Sequence, residues 1–492
     1  MKALLKRVAL LTLAASLSLS TVACSTQTSN NNPEPTTNLS LKTFSEDLSF
    51  KTWADRPPTP SAELIDLWKE AGLTHFNMTE DDYVLTNADG KFGTEDDGVL
   101  NPKYLNALDL CEQAGLEVLI RNYRTDPDYF YNDDDGQRFA EPPWNYEYYI
   151  PVRHLTNELT SHNAVAGYYM GDEPSYQKVG TFDKLVEWYN QNGGNTLWHM
   201  NLLQSYAPSS MMRDANNNLK TYAEYVRYYC DQVLEKVNGP KTLGTDYYPL
   251  VLNGEEPIIK NGILSDYVIL AENVNRMNKT LTEGNKVALN LCIQVYNSSS
   301  TRDISSLADI TFQTNLAAAF GTKSLQYYLF RATSGDGGMI DMVTQKPTPM
   351  YGWVKEANIQ MQVLADVILN FDYVGVKTFV GAVSDENNVK GFGYIQDQAL
   401  EQFKLINNVS CRLDTVVSEM ADKDGNVGYM VVNFSEPSKA LTDFVKVYFS
   451  KKVNKAIVVQ DGVKTVVDVN DDMMQLTLGA GSGAFVYPVY EK

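Results

Sequence analysis

Asp172 and Glu173 stand side by side in GYYMGDEPS, at the end of an aromatic, strand-like run that Pro174 stops. Charged groups are costly at the end of a buried strand unless they are paired or used. Two carboxyl groups facing one cavity can divide acid/base work. One protonates a leaving oxygen, and the other attacks carbon or activates water. Neighbours in an extended backbone point apart, so one of the two must lead the chemistry, and Glu173 is the expected proton donor. The second acid is sought at the ends of other strands. Asp246, in TLGTDYYP, is the first choice and Asp172 the second. Glu272 becomes a third if YVILA (267–271) is a strand. Each acid also has a structural reading. Asp172 could pair with Arg121 or cap a helix, and Asp246 could pair with an arginine.

These residues need a scaffold that brings strand ends together. Strand-like segments fall at 49–55, 74–78, 117–122, 164–172, 196–203, 242–248, 286–296 and 324–330. Helical periodicity fills the gaps, as in SAELIDLWKEAG, NPKYLNALDLCEQAG, TFDKLVEWYNQNG and TYAEYVRYYCDQVLEKV. The segment 265–284 reads as helix or as strand plus helix. The helix is preferred because the strand count then closes at eight. Eight strands alternating with helices spell an α/β fold, a (β/α)8 TIM barrel over 47–371, ended by the amphipathic PTPMYGWVKEANIQMQVLADVIL. From 372 to 492, alternating strands joined by Asn, Asp, Ser and Gly turns predict an antiparallel β-sandwich.

Barrel active sites lie at the C-terminal ends of the strands. Those ends carry, besides the acids, Trp53, Arg121, Asn201, Tyr247, Gln294 and Tyr296. Amides and arginine hydrogen-bond hydroxyls, and aromatic faces pack on sugar rings. These residues, with Asp172, are therefore the expected substrate-binding set, although Tyr247, Tyr248 and Trp198 read first as core or barrel wall. The chain has only four His, no phosphate-cradling Gly loop and no nicotinamide fingerprint, so no cofactor is expected.

The strand-then-GDEP pattern at the fourth strand resembles the (β/α)8 glycoside hydrolases of the clan-A, β-galactosidase-like superfamily. That resemblance implies a glycosidase whose acid/base Glu follows the fourth strand, where Glu173 stands. Asp172 replaces the usual Asn. NLLQSYA, DYYP and the closing GAFVYPV are similar to segments of secreted relatives. The superfamily places its nucleophile Glu at the end of the seventh strand, and there this chain has Gln294. A carbohydrate-binding protein on an inactive barrel is the alternative reading.

Charge and leader agree with work outside the cell. The formal net charge is −20, which argues against binding nucleic acid or anionic lipid by charge. Lys2, Lys6 and Arg7 precede an apolar run that ends in TVAC, which resembles a bacterial lipoprotein signal with Cys24 as the lipidated residue. A cleaved secretory signal without lipid is the other reading. Residues 1–24 are then leader and anchor, and the Ser/Thr/Asn/Pro-rich 25–46 a flexible tether. The chain is expected on the extracytoplasmic side of the cell membrane, touching it only through the lipid and binding carbohydrate. Cys111, Cys230, Cys292 and Cys411 form no CxxC pair and read as buried free thiols. NADGKFGTEDDG (87–98) reads first as a solvated acidic loop and second as a structural calcium loop.

Overall fold

The computed structural model describes residues 50–55, 60–78, 102–121, 160–298, 301–331, 337–383 and 400–490. Eight strands form one parallel sheet: β1 Lys51–Ala54, β2 His75–Met78, β3 Glu117–Ile120, β4 Val165–Asp172, β5 Leu197–Leu202, β6 Lys241–Thr245, β7 Val287–Gln294 and β8 Ser324–Tyr328. The order is β1-β8-β7-β6-β5-β4-β3-β2, so each strand lies beside its sequence neighbour. The sheet closes where Thr74 N donates to Thr52 O at 2.9 Å and Thr52 N donates to Thr74 Oγ1 at 2.9 Å. Every residue of β5 and β6 is buried, as parallel strands covered on both faces must be. The expected barrel is present in its full strand count.

Helices cover the outside: α1 Ala62–Glu70, α2 Pro102–Ala114, α3 Asp183–Asn192, α4 Tyr222–Tyr229, α5 Ile263–Asn278, α6 Leu307–Ala319 and α7 Pro349–Ile368. α1 shows how the sequence sets them. Ser61 Oγ accepts the Leu64 N–H at 3.2 Å, and Leu64, Ile65 and Trp68 form the buried stripe. Trp68 Nε1 then donates to His75 O at 2.9 Å, fixing the helix over the next strand.

The ambiguous 265–284 segment is helical. Tyr267 to Ala271 are buried within α5, and Glu272 is exposed on that outer helix, which removes it as a catalytic acid. α6 was not individually legible. Its polar residues, Asp309, Thr311, Gln313, Thr314 and Asn315, are buried along with its apolar ones, so no solvent-facing polar stripe marks a period. It is buried because the sandwich lies on it. Phe312 packs on Phe434, and Asn315 Nδ2 donates to Gly481 O at 3.0 Å. Gly481, at φ +71°, sits so close that a Cβ would collide with Ala308 O. Arg302 forms buried ion pairs with Asp309 of α6 and Glu436 of the sandwich, both at 2.5 Å. Removing the arginine would strand two carboxylates away from water.

The sandwich stacks a six-stranded sheet against a three-stranded one. Its strands are β9 Phe371–Phe379, β10 Ile406–Ser410, β11 Thr415–Asp422, β12 Val427–Asn433, β13 Asp443–Phe449, β14 Val453–Gln460, β15 Val463–Asp468, β16 Met473–Leu478 and β17 Gly483–Tyr490. The sheet orders are β9-β11-β12-β17-β14-β15 and β10-β13-β16, antiparallel throughout. Among the described residues no helix is long and apolar enough to cross a membrane. Cys24 and the 87–98 loop lie outside the described residues.

Candidate active site

The end of β4 carries an irregularity that explains the adjacent acids. Tyr169 pairs with His199 and Asp172 with Asn201, so three steps on β4 oppose two on β5. Such a bulge breaks the alternation and puts Asp172 on the same side as Tyr169. The Tyr169 hydroxyl donates to Asp172 Oδ1 at 2.9 Å, and Arg121 Nη2 donates to Oδ2 at 3.2 Å. The Arg121 guanidinium also lies 4.3 Å from the Tyr169 ring centre. Glu173 follows at φ +47°, left-handed backbone that a non-glycine residue adopts at a cost of about 1–3 kcal/mol and that clusters at functional sites. Its N–H donates to Asn201 O at 3.0 Å, and its side chain turns toward β5 and β6. The two neighbours do point apart, but across one mouth.

On that side Glu173 meets Asp246. Gln204 Nε2 donates to Glu173 Oε1 at 2.5 Å and also to Asp246 Oδ1. The Tyr248 hydroxyl donates to Asp246 Oδ2 at 3.3 Å. Burial raises the Asp246 pKa well above the carboxylate range, and the negative Asp172 and Glu173 add to the rise. Burial also raises Glu173, with Asp172 adding and the Gln204 hydrogen bond opposing. Burial is the main cause of the rise at both acids. The two titrate as a unit.

The floor of the mouth is a fourth carboxylate in a fixed network. Asp55, just past β1, accepts from Asn77 Nδ2 at 2.6 Å and from Gln326 Nε2 at 2.5 Å. Gln326 Oε1 lies 3.0 Å from His199 Nε2, and Thr242 Oγ1 lies 2.7 Å from His199 Nδ1. Burial lowers the His199 pKa to about 4, so the ring is neutral. An amide oxygen can only accept, which puts the imidazole proton on Nε2. Burial raises Asp55 to about 6, against the pull of Arg121.

The expected binding residues divide. Arg121 and Asp172 reach the mouth, and Asn201 is enclosed behind them, its Nδ2 donating to the Tyr169 hydroxyl at 2.8 Å. Tyr296 is at its edge, packed edge-on against Tyr248 and Tyr328 at 5.1 and 5.2 Å. Three more expectations need correction. Trp53 is fully enclosed in the barrel interior, edge-on to His199 at 5.0 Å, and offers no face to a ligand. Gln294 is buried, its amide spent on Leu250, accepting from N at 3.1 Å and donating to O at 3.2 Å. It anchors the hairpin Leu250–Asn253/Glu256–Ile259 instead of lining the mouth. Tyr247 is buried with its hydroxyl on Asn261 O; the exposed ring there is Tyr206, which packs on Tyr247 at 5.1 Å and lies under Lys260 Nζ at 3.0 Å.

Sequence reasoning put Asp55 at a strand end without a role and left Gln204, Gln326 and His199 out of the site. Gln204 lies beyond β5 in NLLQSYA, where its barrel-end position was the available signal. The other two become chemical only when strands distant in sequence meet.

No protein-family model matches the chain, and no curated protein sequence does. Many solved structures are similar, among them the following three. A family 39 glycoside hydrolase from Bacteroides cellulosilyticus WH2 aligns over 90% of this chain and 82% of its own at 13% identity, TM-score 0.49. A GH30 endoxylanase from Clostridium papyrosolvens C71 aligns over 89% and 95% at 10% identity, TM-score 0.42. An alpha-amylase from Geobacillus thermoleovorans aligns over 88% and 92% at 12% identity, TM-score 0.45. Likenesses this distant assign neither a family nor an activity, and the chemistry rests on the residues.

One described group brings three metal-ligand types within 4.8 Å of one another: Asp109, Glu112 and His162, on the outer surface. His162 Nδ1 accepts the Ala164 N–H, so its proton is on Nε2, facing Asp109 at 3.2 Å. That arrangement is an imidazole–carboxylate hydrogen bond. A cavity of about 410 Å³ lined by Lys286, Lys323 and Asp372 lies at the N-terminal ends of β7 and β8, away from the mouth.

Proposed function

We propose that this chain is an extracytoplasmic glycoside hydrolase that cleaves O-glycosidic bonds with Glu173 as proton donor and Asp246 as the second carboxylate. The observation that carries the reading is the shared amide of Gln204, which holds the two carboxyl groups together at the C-terminal end of the barrel. Two oxygens on one amide nitrogen lie within about 6 Å of each other, twice an ordinary hydrogen-bond length. A pair about 5–5.5 Å apart suits direct attack on the anomeric carbon, whereas a pair about 6.5–9.5 Å apart admits a water. In the first step Glu173 protonates the departing oxygen while Asp246 attacks. In the second, Glu173 takes a proton from the water that releases the sugar. Arg121 and Asp172 hold the sugar, and Tyr206 and Tyr296 border it.

The specific observation favouring an inactive binding protein is Gln294, tied to Leu250 where the superfamily resemblance implies a nucleophile. A panel of aryl glycosides and plant or host oligosaccharides separates the readings. Turnover of any member supports the enzyme, and binding without turnover removes it.

TVAC and the apolar run before it support a lipid anchor at Cys24. The mature protein from native membranes is expected to begin with an acylated Cys24. Mass spectrometry that finds an unmodified N-terminus elsewhere would sink the anchor.

A further inference from the structure

We propose that the sugar held in this mouth carries a free amine, so that the substrate is a glycoside of an amino sugar in its ammonium form. The inference rests on the glycosidase reading and narrows its substrate class. It follows from where the hydrogen-bond donors go. Among the described residues, Gln204 donates to Glu173 and Asp246, Tyr248 to Asp246, Tyr169 and Arg121 to Asp172, and Asn77 and Gln326 to Asp55. The mouth spends these donors on its own four carboxylates. Behind them Asn201, 1% exposed, keeps Nδ2 on Tyr169 and leaves Oδ1 without a hydrogen-bond partner.

A surplus of acceptors selects a ligand that brings protons. A sugar hydroxyl brings one, but its oxygen also asks for a donor. An ammonium brings three and accepts none. Asp172 is the carboxylate placed to receive it, since it lies outside the catalytic pair and keeps 36% of its side chain exposed. Each of its oxygens takes one described donor and retains room for another. Asp55 adds negative charge from behind. Burial and mutual repulsion raise the pKa values of Asp55, Glu173 and Asp246, and a bound cation relieves that repulsion. A uronate would instead bring further acceptors and further negative charge.

The test uses wild-type protein at about pH 6, where a sugar amine is protonated. The substrates are both anomers of the 4-nitrophenyl glycosides of glucosamine and galactosamine, with their N-acetyl, neutral-hexose and glucuronide counterparts. The amine should exceed the matching neutral glycoside in kcat/KM by about tenfold or more, as charge-assisted hydrogen bonds exceed neutral ones. The glucuronide should be poorest. Asp172→Asn should shrink the amine-to-neutral ratio toward one. A neutral, N-acetylated or glucuronide substrate that matches or exceeds the amine overturns the inference and leaves the glycosidase reading standing. If nothing is hydrolysed, the melting temperature with free glucosamine is compared with that in equal free glucose. A larger rise with glucosamine supports amine recognition in a protein that is not a hydrolase, and equal or absent rises overturn it.

Discussion

Glu173→Gln should cut hydrolysis of a substrate with a poor leaving group by at least about a hundredfold, the low end of the 10²- to 10⁴-fold that general acid catalysis contributes. Glutamine keeps the shape and can still face Gln204, but it has no proton to give. The loss should be much smaller on an activated aryl glycoside, whose oxygen departs with little protonation. The same variant should change the pH profile. Glu173 is one of the negative neighbours that raise Asp246, so neutralising it lowers the Asp246 pKa, though burial still holds it up. A group that works ionised is lost as pH falls through its pKa. With that pKa lower, residual activity on the activated substrate should persist to more acidic pH than in the wild type. Rates equal to wild type on the poor-leaving-group substrate would remove Glu173 as the acid.

The contrast between the two substrates matters because position and burial point to different proton donors. Glu173 sits on strained backbone at the end of β4, turned into the mouth, and stays partly open. Asp246 is the more deeply buried, and burial raises its pKa well above the carboxylate range. Kinetics with good and poor leaving groups separates the roles in a way that a single rate cannot.

The barrel could be read from the sequence because its strands are short apolar runs at regular intervals, bounded by helical periodicity. Closing the count at eight also settled the 265–284 segment correctly. What stayed hidden has physical causes. α6 is buried between the barrel and the sandwich, so no amphipathic stripe announces it. The bulge in β4 is a matter of register, and a bulge of this kind carries no Gly or Pro signature strong enough to separate it from GYYMGD read as plain strand. That bulge, with the left-handed Glu173, decides how two sequence neighbours serve one cavity. Strand-end position does bring Arg121 and Asp172 to the open mouth. It misleads where barrel depth or an insertion intervenes. Trp53 is one layer too deep, and Gln294 is taken by the hairpin that follows β6. Position along a strand gives the end of the barrel, whereas the partner of each polar group depends on residues far away in the chain.

Asp246→Asn should abolish most activity on both classes of substrate, by at least about a hundredfold, because the group it removes acts whatever the leaving group. Asparagine is nearly isosteric, and its oxygen can still accept from Gln204, so the loop should keep its place. Unchanged circular dichroism and melting behaviour would confirm that the loss is chemical. The pattern differs in kind from that of Glu173→Gln. There the activated substrate escapes, and here it does not. A smaller variant, Asp246→Ala, opens space beside the anomeric carbon. Added azide should then restore turnover of the activated substrate and leave a glycosyl azide of inverted configuration, because the external anion attacks from the side the carboxylate occupied. If the two patterns come out exchanged, Asp246 is the acid and Glu173 the attacking group, as burial alone would have it. If Asp246→Asn retains wild-type rates on both substrates, the carboxylate is a buried structural acid, and the short gap across Gln204 does not mark a catalytic pair.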